Sequence, residues 1–89
     1  MEINSISDFR KAVRLGPYAW PGGYPLYWIM SDGEAIKWSV CKNERRNMLE
    51  ALARKDQSGW RPIAFDINYE DNDLYCAHTG DKIESAYGD

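Results

Sequence analysis

The dipeptide Asp32-Gly33, set between two apolar runs in LYWIMSDGEAIKWSV, constrains this chain more than any other feature. Glycine accepts the positive φ that a tight reversal demands, and Asp-Gly flanked by alternating apolar residues signals a two-residue β-hairpin. That turn sets Ser31 against Glu34, Ile29 against Ile36 and Tyr27 against Trp38, with Val40 facing Pro25. Side chains alternate across a strand, so Tyr27, Ile29, Ile36 and Trp38 are expected on the core face. Leu26, Trp28 and Met30, opposite Ser39, Lys37 and Ala35, then form a second face with more apolar area than a solvated surface needs.

The elements on either side follow from their punctuation. SISDFRKAVRLG predicts a helix with Ser5 as N-cap, Asp8 in its first turn and Ile6, Phe9 and Val13 on one face, stopped by Gly16 and Pro17. Prolines and glycines between Pro17 and Pro25 predict irregular structure there. NERRNMLEALARK predicts a second helix, with Asn43 as N-cap and Met48, Leu49 and Leu52 as its buried stripe. WRPIAFDINY predicts a strand with Ile63, Phe65, Ile67 and Tyr69 on one face and Pro62 at an edge or bulge. EDND reads as a loop, and LYCAHTGDKIE as a tight hairpin turning near Thr79-Gly80. The expected order is α-β-β-α-β-β: an α+β domain with a small, mostly antiparallel sheet and two helices packed on one face.

Eighty-nine residues make one domain spanning residues 1–89. MEINSISDFRKAV lacks the apolar stretch of a signal peptide, and no run approaches the length of a membrane span. Two cysteines, Cys41 and Cys76, are too few for a disulfide framework, so free thiols in a reduced cytoplasm are expected, with no membrane partner. Residues 1–65 hold ten Lys/Arg against seven Asp/Glu, whereas residues 66–89 hold seven acids and only Lys82 as a base. A basic body with an acidic end argues against a nucleic-acid binder; the acidic end reads as a solvated edge that aids solubility, with a surface that meets a basic partner as the sharper alternative.

Catalytic sets are sparse. Cys76 and His78, two apart on a strand, point the same way, but the chain has one His and shows no orienting third group. In LYCAHTGDKI, Cys76, Gly80 and Ile83 match half of a zinc ribbon, with Thr79 where the second thiolate belongs. Cys76 and His78 are therefore weak metal candidates, with Asp81 and Cys41 as the remaining donors. The acids of YEDND lack calcium-loop spacing, and PGGYP leads into no helix that could cradle a phosphate. No catalytic residue and no cofactor is assigned. Arg10, Lys11 and Arg14, with Arg45, Arg46, Arg54 and Lys55, could track a phosphate backbone if both helices faced one way. A nucleic-acid module with a degenerate zinc-ribbon hairpin is thus the alternative reading.

GPYAWPGGYPLYW concentrates rigid aromatics among Gly and Pro, which fix a loop at low entropic cost on binding. Tyr18, Trp20, Tyr24, Tyr27 and Trp28 are the expected partner contacts, with Asp71 and Asp73 as polar ones. The stretches GPYAWPGGYPLYWIMSDGEA, ERRNMLEALA, SGW and DLYCAHTGDKIESAYG together resemble a family of small proteins from tailed phages and prophages. The resemblance runs from about Phe9 to Gly88 and carries no catalytic assignment to transfer. It implies an accessory protein that acts in the host bacterial cytoplasm. Such a protein is expected to block or redirect a host protein complex, for example a CRISPR or other defence assembly. A homodimer through the second hairpin face is the other expected association.

Overall fold

In the computed structural model the described residues are 1–19, 22–55, 59–71 and 73–86. Helix α1 (Ile6–Leu15) begins as the sequence requires. The Ser5 hydroxyl accepts the Asp8 N–H at 3.1 Å, and the Asp8 carboxylate accepts the Asn4 N–H at 3.0 Å. Gly16 closes the helix at φ +79°, where a side chain would be strained. Phe9 and Ala12 are its buried residues.

The segment expected to be irregular contains a strand. Strand β1 (Tyr18–Ala19) runs antiparallel to the start of β2 (Tyr24–Met30), with Tyr18 opposite Pro25 and Ala19 opposite Tyr24. Gly22 and Gly23 reverse the chain at φ +108° and +66°. The prolines are tolerated because the ladder uses only their carbonyls. Leu26 N–H donates to Pro17 O at 2.9 Å, and Asn68 N–H donates to Pro25 O at 3.0 Å.

The Asp32-Gly33 reversal forms, but one residue out of the expected register. Strand β2 pairs with β3 (Ala35–Lys37) so that Tyr27 meets Lys37, Trp28 meets Ile36 and Ile29 meets Ala35. The loop holds three residues, 31–33. Gly33 N–H donates to Met30 O and Met30 N–H to Glu34 O, each at 2.9 Å, with Gly33 at φ +85°. This is a type I turn followed by a left-handed glycine, the usual three-residue hairpin. The Asp32 side chain supports it by accepting the Glu34 N–H at 3.0 Å. A slip of one residue exchanges the faces of one strand relative to its partner. Leu26, Trp28, Met30 and Ile36 are buried, while Tyr27 and Ile29 lie half-buried on the opposite face. The expected Tyr27–Trp38 and Pro25–Val40 pairs do not form, because β3 ends at Lys37 and Val40 opens a helix.

That helix, α2 (Val40–Arg54), starts before the expected cap at Asn43 and kinks at Glu44, where φ is −114° and ψ is 17°. Met48 is fully buried, and Leu49 and Leu52 pack partly buried against the core. Strand β4 (Pro62–Ile67) pairs antiparallel with the other edge of β2, Leu26 opposite Ile67 and Trp28 opposite Phe65. The register shifts near Met30, which pairs with Pro62 while Ile29 pairs with Ala64. Pro62 thus sits at a bulge and Ile63 is the extra residue. The bulge turns Ile63 out while Phe65 stays buried; Tyr69, also exposed, lies past the end of β4.

The element order is α-β-β-β-α-β, an α+β globule with a four-stranded antiparallel sheet. Backbone donors alternate between edges along a strand, so the N–H groups of Leu26 and Met30 place β1 and β3 along one edge of β2. The outer sides of β4 and β3 each receive a backbone donor from a neighbouring segment. Ile3 N–H donates to Ile63 O at 2.9 Å, and Ala77 N–H donates to Ala35 O at 2.9 Å. The final hairpin turns as expected, with Gly80 N–H donating to Cys76 O at 2.8 Å, but it keeps only one isolated bridge, Tyr75 to Lys82. At the centre of the core, the Trp28 ring lies 5.2 Å from Phe9 and 4.4 Å from Phe65. Among the described residues no helix is long and apolar enough to cross a membrane.

Candidate contact surface

Asn68, just past β4, organises one end of the sheet. Its side chain is buried, and burying an amide is costly unless its hydrogen bonds are made. Here Nδ2 donates to the carbonyls of Asp71 and Glu84, both at 3.0 Å, and Oδ1 accepts the Asp71 N–H at 3.2 Å. The Asn68 carbonyl also accepts the Ala86 N–H at 2.9 Å. One residue therefore ties the loop after β4 to the last described segment of the chain. Sequence reasoning missed this clamp. Its only trace is Asn68 three residues before Asp71, the spacing of a local side-chain turn.

Around Asn68 the structure gathers most of the expected contact residues. Tyr18 is exposed, and its hydroxyl donates to Glu84 Oε2 at 2.7 Å. That hydrogen bond to a carboxylate, together with its charge, raises the phenol pKa. Tyr24 is half-buried, its ring centroid 5.8 Å from that of Tyr69, which is 52% exposed. Tyr27 stands across the strand pair from Asp66. Burial raises its phenol pKa first, and the charges of Asp66 and Asp71 raise it further. Asp71 and Asp73 are exposed on the loop, where Asp71 Oδ1 accepts the Asp73 N–H at 2.9 Å. Tyr69, Asp66 and Glu84, the neighbours of Tyr24, Tyr27 and Tyr18, were not singled out by sequence. Tyr69 was expected on one strand face with Ile63, Phe65 and Ile67, and the carboxylates are brought in by strand pairing and by the chain's return past Asn68.

One of the expected contacts falls elsewhere, and another lies outside the described residues. Trp28 has no exposed surface and stands between Phe9 and Phe65, so it is a core residue and not a partner anchor. Its Nε1–H donates to Trp38 O at 3.3 Å. Trp20 lies outside the described residues.

The weak metal candidates point to different neighbours. Cys76 is 1% exposed. Burial pushes its thiol up, but hydrogen bonds from the Thr79 side chain and from backbone groups of Lys37, Thr79 and His78 outweigh that and leave the pKa lowered. The turn thus supplies donors to one sulfur, with Thr79 where a half zinc ribbon places its second ligand. His78 turns outward, its ring edge-on to Trp60 at 5.1 Å and Nε2 3.8 Å from Glu44. Cys41 lies in α2, where burial pushes its thiol up to about 11. Among the described residues no group of three His, Cys, Asp or Glu is placed to hold a metal ion. The basic residues Arg10, Lys11, Arg14, Arg45, Arg46, Arg54 and Lys55 are exposed on the two helices, with Arg46 3.6 Å from Glu50.

Fold and surface together define a small α+β domain that presents tyrosines and carboxylates on a hydrogen-bonded frame. No family model, no curated protein and no solved structure matches the chain.

Proposed function

We propose that this chain is a non-enzymatic binding protein that blocks or redirects a host protein complex through its tyrosine and carboxylate surface. In this reading it is a phage accessory protein acting in the bacterial cytoplasm, and a defence assembly such as a CRISPR complex is the kind of target it meets. The observations that support the reading are two ordered tyrosine contacts, Tyr18 bonded to Glu84, whose carbonyl the Asn68 clamp holds, and Tyr24 packed on the exposed Tyr69, with Tyr27 opposite Asp66. Tyrosine offers large amphipathic area with few rotamers to freeze, which is why contact surfaces favour it. Hydrogen bonds to Glu84 and ring packing against Tyr69 pre-order the side chains and lower the entropic cost of docking.

The test is affinity capture from host lysate with the tagged wild-type chain and with the double variant Tyr18→Ala, Tyr69→Ala. One stoichiometric host complex is expected with the wild type and its loss with the variant, while the urea midpoint stays nearly constant because both rings are exposed. Capture of the same complex by both proteins refutes this surface.

A further inference from the structure

We infer that the outward layer of α1 and α2 binds the phosphate backbone of a nucleic-acid duplex, at a site separate from the tyrosine surface and independent of the function proposed for it. Phe9 of α1 packs on Trp28, and α2 contacts α1 and buries Met48 in the same core. At about 3.6 residues per turn, Arg10, Lys11 and Arg14 fall on the side of α1 opposite the buried Phe9 and Ala12. On α2, Arg46 falls opposite the buried Met48 and Ala51, with Arg45 and Arg54 on its flanks. All six basic side chains are exposed. Both helices thus turn cations away from one shared core.

The carboxylates of the two helices do not neutralise this layer. Asp8 accepts the Asn4 N–H at the start of α1, and Glu44 is half-buried beside Asn47 and His78. Glu50 meets Arg46 at 3.6 Å. Among the described residues no carboxylate forms an ion pair with Arg10, Lys11, Arg14, Arg45 or Arg54. Asp66 stands opposite Tyr27, on the sheet face away from Trp28. Lys37 also stands opposite Tyr27 and donates to Asp81 Oδ2 at 2.6 Å, so Asp81 lies on that side too. The formal net charge of −3 therefore sums a basic helical layer with acids across the sheet. A molecule charged in this way turns its helices toward a polyanion. The layer also lacks an aromatic platform. Phe9 is buried and α2 contains no aromatic residue, so nothing there stacks on the splayed bases of a single strand. Exposed Arg and Lys contact phosphates without reading bases, which suits a duplex bound without sequence preference.

The experiment follows the fluorescence anisotropy of labelled duplex DNA and duplex RNA, each ~20 base pairs, titrated with the full chain from about 50 to 200 mM salt. Saturable binding is expected, with a log–log salt slope of about −4 to −5 that marks about five phosphates, and the tighter duplex names the source. Lys11→Gln with Arg14→Gln, and Arg45→Gln with Arg46→Gln, should each weaken binding at least about five-fold and flatten the slope by about two. Glutamine keeps the helix propensity of the residues it replaces, so the urea midpoint should hold. Lys37→Gln with Lys82→Gln removes the same charge away from the helices and should leave affinity within about two-fold. No binding of either duplex at about 50 mM salt overturns the inference. So does equal weakening in the Lys37 and Lys82 variant, which makes the effect one of net charge. A single strand bound as tightly as the duplex overturns it, as does binding to phosphatidylglycerol vesicles and to neither duplex.

Discussion

Replacing Trp28 by Ala decides the register of the central hairpin. In the structure Trp28 is fully buried, its ring between Phe9 and Phe65 and its indole N–H bonded to Trp38 O. A buried Trp removes roughly 200 Å² from water, worth about 5 kcal/mol at ~25 cal/mol per Å², of which Ala retains about one. The expected loss is therefore about 4 kcal/mol, inside the range of about 3–5 kcal/mol for large-to-small aromatic substitutions. A domain of this size is stable by roughly 4–13 kcal/mol, so the variant stands near the edge of folding. Urea denaturation followed by far-ultraviolet circular dichroism reads the effect as a midpoint lowered by about 2–4 M, taking a slope of about 1–2 kcal/mol per M. Tyr27→Ala, half-buried on the other face, is expected to cost about 1–2 kcal/mol. A two-residue turn exchanges these outcomes. If Trp28→Ala costs less than about 1 kcal/mol and Tyr27→Ala costs more than about 3, the three-residue loop is wrong and Trp28 returns to the surface.

Asn68→Ala should cost about 2–4 kcal/mol, since it strands several backbone groups at once, and hydrogen exchange should accelerate selectively at Asp71 and Ala86; uniform protection across that region counts against the clamp. Gly33→Ala should cost about 1–2 kcal/mol although nothing lies within 4 Å of the added methyl, because the whole penalty is the positive φ of 85°; an unchanged urea midpoint refutes that backbone. Cys41 gives a pH dependence with a definite sign. Its thiol ionises near 9 when unfolded but at about 11 when folded, so its contribution is intact below pH 9 and is lost as pH rises from 9 towards 11. Stability should fall over that window by up to about 2 kcal/mol in the wild type and by less in Cys41→Ala; equal slopes overturn the assignment.

The elements that depend on neighbouring residues alone were legible in the sequence. Ser5 caps α1 and Gly16 ends it because each acts on backbone groups within a few residues. The reversal at Gly33, the bulge at Pro62 and the turn at Gly80 are local for the same reason: a positive φ or a missing N–H leaves the chain few alternatives. Buried Met48 and Phe65 followed from periodicity. Together these determined an α+β class with an antiparallel sheet.

Tertiary structure decided what lies between two elements. Two-residue and three-residue loops are both compatible with Asp32-Gly33. The choice between them fell to whichever face could receive Phe9 and Phe65, and that placed Trp28 inside and Tyr27 outside. A helical turn from Val40 precedes the expected cap at Asn43 and buries Val40 and Cys41, and the break at Glu44 falls within one residue of that cap. The contact surface is the most non-local feature of all. Tyr18 and Glu84 stand 66 residues apart in the chain, and a hydrogen bond joins them. Composition announced the aromatics and the acidic end as separate stretches, but only strand pairing and the Asn68 clamp bring Tyr18 to Glu84 and Tyr27 near Asp66 and Asp71. Local backbone chemistry is written in neighbouring residues, whereas the surface depends on how distant segments share one core.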